Sequence, residues 1–167
     1  MMARDGLSEQ ECAEILVELR RQCPKANDEL LVWLADSFAL EAPVDFDLND
    51  LVSLLIRPER KIARRKRFPQ DITPTEALEA LLLDVGGEDG SEAGGSGGLL
   101  ILRATAKRTN EYWSGSIGTV MGRFRQSVGP NGDAIYGVLV DEQIPAGFEL
   151  FILITVSDTP KSDGMGY

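Results

Sequence analysis

The chain of 167 residues contains no histidine and only two cysteines, Cys12 and Cys23. Without imidazole it lacks the side chain that titrates near neutral pH, the usual general base, the partner in Ser-His and Cys-His pairs, and the commonest metal ligand. That removes most hydrolase mechanisms. The two thiols stand on or beside one helix, too far apart along a rigid rod to bridge and too few to cage a metal. They read as small buried hydrophobes of a reducing compartment. Long apolar runs are also missing: Leu99 to Leu102 and Phe148 to Val156 fall short of the roughly 20 residues that a membrane helix needs. The opening MMARDGLSEQE lacks the basic-then-apolar order of a secretory signal. The expectation is therefore a cytoplasmic protein, not an enzyme, with no metal, no cofactor and no membrane partner.

What is present is a segregation of charge. The net charge is −10, yet residues 57–67, RPERKIARRKR, carry seven cations and one acid. The 56 residues before them hold twelve acids against four bases, and residues 68–98 hold seven acids and no base. So acidic a whole argues against wholesale wrapping of nucleic acid, and any polyanion binding must be local.

Along the chain, helical signals come first. Ser8 and Glu11 have the spacing of a capping box, followed by Cys12, Ile15, Leu16 and Leu19 at helical intervals up to Pro24. Asn27 caps a second helix with the stripe Leu30, Trp33, Leu34 and Phe38, which reads as core. Asp45, Asp47 and Asn49 imitate the start of a calcium loop. Asp50 and Ile56 stand where that loop needs glycine and a bidentate glutamate, so Asp47 is better read as the cap of a third helix. Pro58 then opens a basic helix over 58–67 with little to bury. Thr73-Pro74-Thr75-Glu76 starts a last helix that fades at Val85. Residues 86–98, seven of thirteen being glycine, read as a flexible tether and fit neither the dinucleotide fingerprint nor the phosphate loop.

Beyond Gly98 the period becomes alternating. Leu100, Leu102, Ala104 and Ala106 share one face, with Arg103 and Lys107 on the other. Residues 117–128 and 134–141 read as a hairpin around Gly129-Pro130-Asn131-Gly132, and 148–157 as a final strand. Gly115 to Val120 resembles the glycine-rich strand starts of SH3-like barrels over six residues, and no function is carried from it. The expected fold is α+β by segregated segments. A helical bundle over 7–85 is joined by the linker 86–98 to a small antiparallel sheet, or an SH3-like or OB-like barrel, over 99–158; a disordered tail covers 159–167.

Two candidate surfaces follow. The first is a docking patch for a partner protein or phosphate, made of Arg57, Arg60, Lys61, Arg64, Arg65, Lys66 and Arg67, where the planar arginine fork suits carboxylate and phosphate. The second is a basic and aromatic sheet face, Arg103, Lys107, Arg123 and Arg125 with Tyr112 and Trp113 in a loop between strands, such as small barrels use to hold single strands. Each has a plainer reading, as a solvated basic face or as the polar side of any half-buried sheet. Asp141 and Glu142 do not make a catalytic dyad, because neighbours in a strand point to opposite faces. Function is expected to be that of a non-enzymatic adaptor, assembly or regulatory factor contacting other proteins. The alternative is a nucleic-acid binder using the basic segment. The small sheet would close as a barrel, dock on the helices or form a homodimer.

Overall fold

The computed structural model describes residues 3–89, 97–129 and 132–156, the side chains of 86–89, Trp113 and Ser114 excepted. Helices α1 (Glu9–Gln22), α2 (Asp28–Ser37) and α3 (Leu48–Leu55) each start on a side-chain cap. Ser8 Oγ accepts from the Glu11 N–H at 3.1 Å, Asn27 Oδ1 from Leu30 at 3.1 Å, and Asp47 Oδ1 from Asp50 at 2.7 Å. Each cap satisfies an orphan donor that would otherwise fray the first turn. α4 (Pro74–Asp89) begins behind Thr73, whose hydroxyl accepts from the Glu76 N–H at 3.1 Å.

The expected segregation is overturned. Strands β1 (Glu41–Val44), β2 (Arg60–Phe68), β3 (Gly97–Ala104), β4 (Asp133–Val140) and β5 (Phe148–Val156) form one mixed sheet in the order β1-β4-β3-β5-β2. β1 and β2 come from the stretch expected to be a helical bundle, and they pair with β4 and β5. β3 runs parallel to β4, and every other pairing is antiparallel. A parallel neighbour cannot be reached by a tight turn. The expected hairpin of 117–128 with 134–141 is therefore replaced by a crossover through α5 (Ala106–Gly115) and α6 (Ile117–Val128). Ile117, Val120, Phe124 and Val128 are all buried on one side of α6, a helical spacing that shorter alternations within the segment had masked.

Helices cover both faces. α4, α5 and α6 pack on Leu100, Leu102, Leu150, Ile152 and Ile154, while α1, α2 and α3 pack on Leu99, Ile101, Leu139, Phe151 and Leu153. This explains why β5 is buried along its whole length and β3 at all positions but Arg103. Strands between two helical layers lose the half-polar alternation of a one-sided sheet. Close packing shows at Gly137 on β4, where an added Cβ would stand 2.6 Å from the buried Phe46 ring. Gly147, at φ +110°, makes the turn into β5 that other residues rarely adopt.

The basic stretch is not a helix. Residues 60–68 pair with β5 in unbroken antiparallel register, Arg60 opposite Val156 and Phe68 opposite Phe148. Backbone pairing to a wholly buried strand outweighs a helix that had only Ile62 and Ala63 to bury. The tether shrinks as well, with α4 reaching Asp89 and β3 starting at Gly97. Residues 90–96, Pro130 and Asn131 of the expected turn, and the expected tail lie outside the described residues.

Candidate functional site

β2 forms one lateral edge of the sheet, and the alternation of its side chains sets the site. Ile62 and Phe68 belong to the core under α4–α6, and Ala63 packs against the core under α1–α3. Lys61, Ala63, Arg65 and Arg67 thus share the α2 side, with Arg64 and Lys66 on the other. Between β2 and the α1–α2 layer lies an open groove of about 990 Å³. Leu30, Trp33, Ala63, Phe151 and Leu153 give it an apolar lining, and Lys61 and Arg65 stand on the same wall as Ala63. Ile56, 59% exposed, extends the apolar lining at the end of α3.

Trp33 is the centre of this arrangement. Its ring stacks on Phe151 at 4.6 Å between centroids, and the Arg65 guanidinium lies 5.2 Å from its own centroid. Its indole N–H is buried and finds no hydrogen-bond partner among the described residues. Beyond Arg65 a smaller recess of about 310 Å³ continues along the seam to Arg67, Arg103 and Glu149. Here an ion network crosses the sheet. Arg103 holds Asp141 through Nη2 at 2.7 Å and Nε at 3.0 Å, and reaches Glu149 at 3.4 Å; Arg67 approaches the same Glu149 at 3.7 Å. Burial alone pushes the Asp141 carboxyl upward, but hydrogen bonds from the Gln143 N–H and from Arg103 together hold it below the usual range.

At the other end of the groove, Lys61 donates its ammonium protons to the carbonyls of Arg57 and Glu59. Desolvation lowers its pKa, with Glu59 opposing that shift. Cys23, buried beside it, has its thiol pushed up by burial, which suits an inert side chain. Arg57 is tied to Asp133 at 2.6 Å and to the Ser53 carbonyl at 3.3 Å.

All seven residues of the first candidate surface therefore fall on one edge strand or the turn before it. The second set is dispersed. Arg103 is enclosed in the ion network, Arg123 pairs with Glu79 of α4, and Arg125 donates to the Gly129 carbonyl at 2.8 Å. Lys107 is exposed on α5. Tyr112 sits on a helix and not in a loop, its ring edge against Phe148 at 5.3 Å. The side chain of Trp113 lies outside the described residues. Sequence reasoning missed Trp33, Phe151 and Glu149 as site residues. Only Glu149 carried a signal, as a lone carboxylate in the apolar run FELFILITV that must find a partner when buried.

Among the described residues, no group of acids and thiols is placed to hold a metal ion, and no helix is long and apolar enough to cross a membrane. No family model matches the chain, and no curated protein matches it in sequence. Solved structures do. An empty dimer of FtsZ from M. jannaschii matches with a TM-score of 0.57 at 15% identity, over 84% of this chain and 43% of that one. A tryptophan-to-tyrosine mutant of the same protein matches at 0.54 and 18%, over 85% and 45%. The chain thus spans less than half the length of the FtsZ chains it resembles, and the likeness is one of fold, to the C-terminal domain. It bears out the mixed α/β sheet in place of the expected bundle and barrel.

Proposed function

We propose that this chain is a non-enzymatic adaptor, assembly or regulatory factor of the cytoplasm, and that it contacts another protein through the β2 edge and the groove beside it. The observation that carries the reading is a coincidence: the one strongly basic segment of an acidic chain lies on a sheet edge, next to an aromatic-lined groove. An edge strand offers backbone hydrogen-bonding groups, the groove offers apolar burial, and the cations favour a complementary acidic surface. That one of the FtsZ structures of similar fold is a dimer adds support for a part in association.

The alternative, a nucleic-acid binder, draws on the same cations. It is the weaker reading because Arg103 and Arg123, which would extend the track, are already paired with carboxylates. The test is capture from native extract on the immobilised full chain, with half the extract treated with nuclease, followed by a salt step. A defined protein that survives both, and is not captured by an Arg65→Glu, Lys66→Glu variant, supports the adaptor reading. Captured proteins that vanish with nuclease, with steep salt dependence, overturn it in favour of nucleic acid.

A further inference from the structure

Among the described residues β2 pairs with β5 alone, over nine residues and without a break in register. A strand so placed turns every second peptide unit away from its only partner. Protein edges are as a rule short, bulged or covered, and basic side chains keep the uncovered ones from pairing with copies of themselves. β2 is long and keeps its register, and its protection is charge: Arg64, Arg65, Lys66 and Arg67 are consecutive. Such protection repels like and admits unlike. A second β2 laid against the first would set cations opposite cations, which destabilises the pairing.

Deepening the docking reading above, on which it rests, we propose that β2 accepts an extended acidic segment of a partner protein as a sixth strand, antiparallel to β2. Four successive carboxylates would lie opposite Arg64 to Arg67, with an aromatic residue opposite Ala63. The alternation of β2 supplies the reasons. Arg65 and Arg67 leave β2 on the α2 side and Arg64 and Lys66 on the other, the Arg64 guanidinium donating to the Ala63 carbonyl at 2.9 Å, so a strand with consecutive acids meets a cation on both faces. A phosphate backbone running along one side would meet only half of them. Ala63 is the small residue in the row, and the groove beside it is lined by Trp33, Phe151 and Leu153, room for a ring that neighbours of larger size would deny. Ile62 and Phe68, buried toward α4–α6, call for apolar residues opposite them. Read antiparallel from Phe68 to Ile62, the complementary sequence is apolar, four acids, aromatic, apolar.

The probe is the labelled heptapeptide Val-Glu-Glu-Glu-Glu-Phe-Val, titrated into the full chain by fluorescence anisotropy. Two further peptides carry backbone N-methyl groups at one or the other alternate set of positions, with side chains and charge unchanged. Strand addition uses the N–H groups of one set only. The parent peptide is expected to bind, one methylated peptide to lose at least about tenfold in affinity, and the other to bind like the parent. In an Arg65→Glu, Lys66→Glu variant, both side chains being exposed, the parent should also lose at least about tenfold. Failure to bind the parent overturns the inference, as does tighter binding of a single-stranded oligonucleotide of equal charge. If both methylated peptides bind like the parent while the charge reversal abolishes binding, strand addition is wrong and the docking surface stands. If the charge reversal leaves binding unchanged, both fall.

Discussion

The two edges of this sheet use the same contact for opposite ends. At the β1 edge, Arg4 lies 5.0 Å from the centroid of the Phe38 ring; at the β2 edge, Arg65 lies 5.2 Å from that of Trp33. Both rings belong to α2 or its C-terminal cap, so one helix presents an aromatic face toward each edge. The difference is in what else the arginine does. Arg4 bonds the Phe38 carbonyl at 2.7 Å and forms an ion pair with Asp45 at 2.9 Å, and its backbone bridges Ala42 of β1. Its side chain is only 16% exposed. Arg65 is exposed and sits above an open groove. A short edge of four residues is closed by the preceding chain, and a long one of nine is left to charge. An edge under cover belongs to the stability of the fold, and an open one is available to a partner.

That contrast would break if the open edge were loosely held, and the largest expected effect tests this. Arg67, Glu149, Arg103 and Asp141 link β2 through β5 and β3 to the end of β4. Arg103→Met leaves Glu149, 7% exposed, and Asp141 without their central partner. The expected cost is on the order of 3 kcal/mol, read as a lower midpoint in urea with unchanged slope. A cost near zero would mean that the network does not anchor the edge. The same network predicts acid sensitivity. The folded pKa of Asp141 is depressed, so its contribution is fully present above the unfolded value of about 4 and is lost as pH falls through the folded value. The acid limb of the stability curve should flatten in Arg103→Met. Next in size is Arg4→Ala, expected to cost about 2 kcal/mol because it strips a charged donor from a half-buried carbonyl and leaves Asp45 unpaired. Amide exchange in β1 should accelerate with it.

The caps and alternations behind this comparison were legible in sequence; the sheet that unites them was not. Ser8 with Glu11, Asn27, Asp47 and Thr73 all cap as their spacing predicts, because a cap is a contact over three residues. The alternation Phe148, Leu150, Ile152, Ile154 and Val156 also lies on one face, as local chemistry dictates. Pairing of β2 with β5 joins residues at least eighty positions apart, and nothing in RKIARRKRF announces it. Taken alone, that segment lacks the apolar content of a strand. Its place is set by β5, a wholly buried strand that needs a neighbour on each side. The basic patch itself was legible as charge, yet its meaning changed with its geometry: on a helix its cations would surround a rod, whereas on an edge strand six of the seven line a row with two faces. Trp33 was hidden for a related reason. Its helical spacing is that of a core residue, and only the gap left by small Ala63 on β2 turns it into the wall of a groove.

The smallest expected effect sharpens the comparison most, because it holds the chemistry of the contact fixed. Arg65→Ala removes the same guanidinium-over-ring contact as Arg4→Ala, but from an exposed site where water solvates the cation in either state. Such contacts contribute about 0.5–1 kcal/mol at exposed positions, and the expected loss of stability is no more than that. Arg65→Lys should recover most of it, since an ammonium over an indole keeps the attraction and gives up only the planar stacking. The informative quantity is the difference between the Arg4 and Arg65 losses under identical conditions, set beside their effects on heptapeptide binding. Arg4→Ala should lower stability and leave binding to the folded fraction unchanged, and Arg65→Ala should do the reverse. If Arg65→Ala instead costs as much stability as Arg4→Ala, the cation over Trp33 is a clamp that closes the groove. The β2 edge would then be protected in the same sense as β1, and its charge would serve the fold and not a partner.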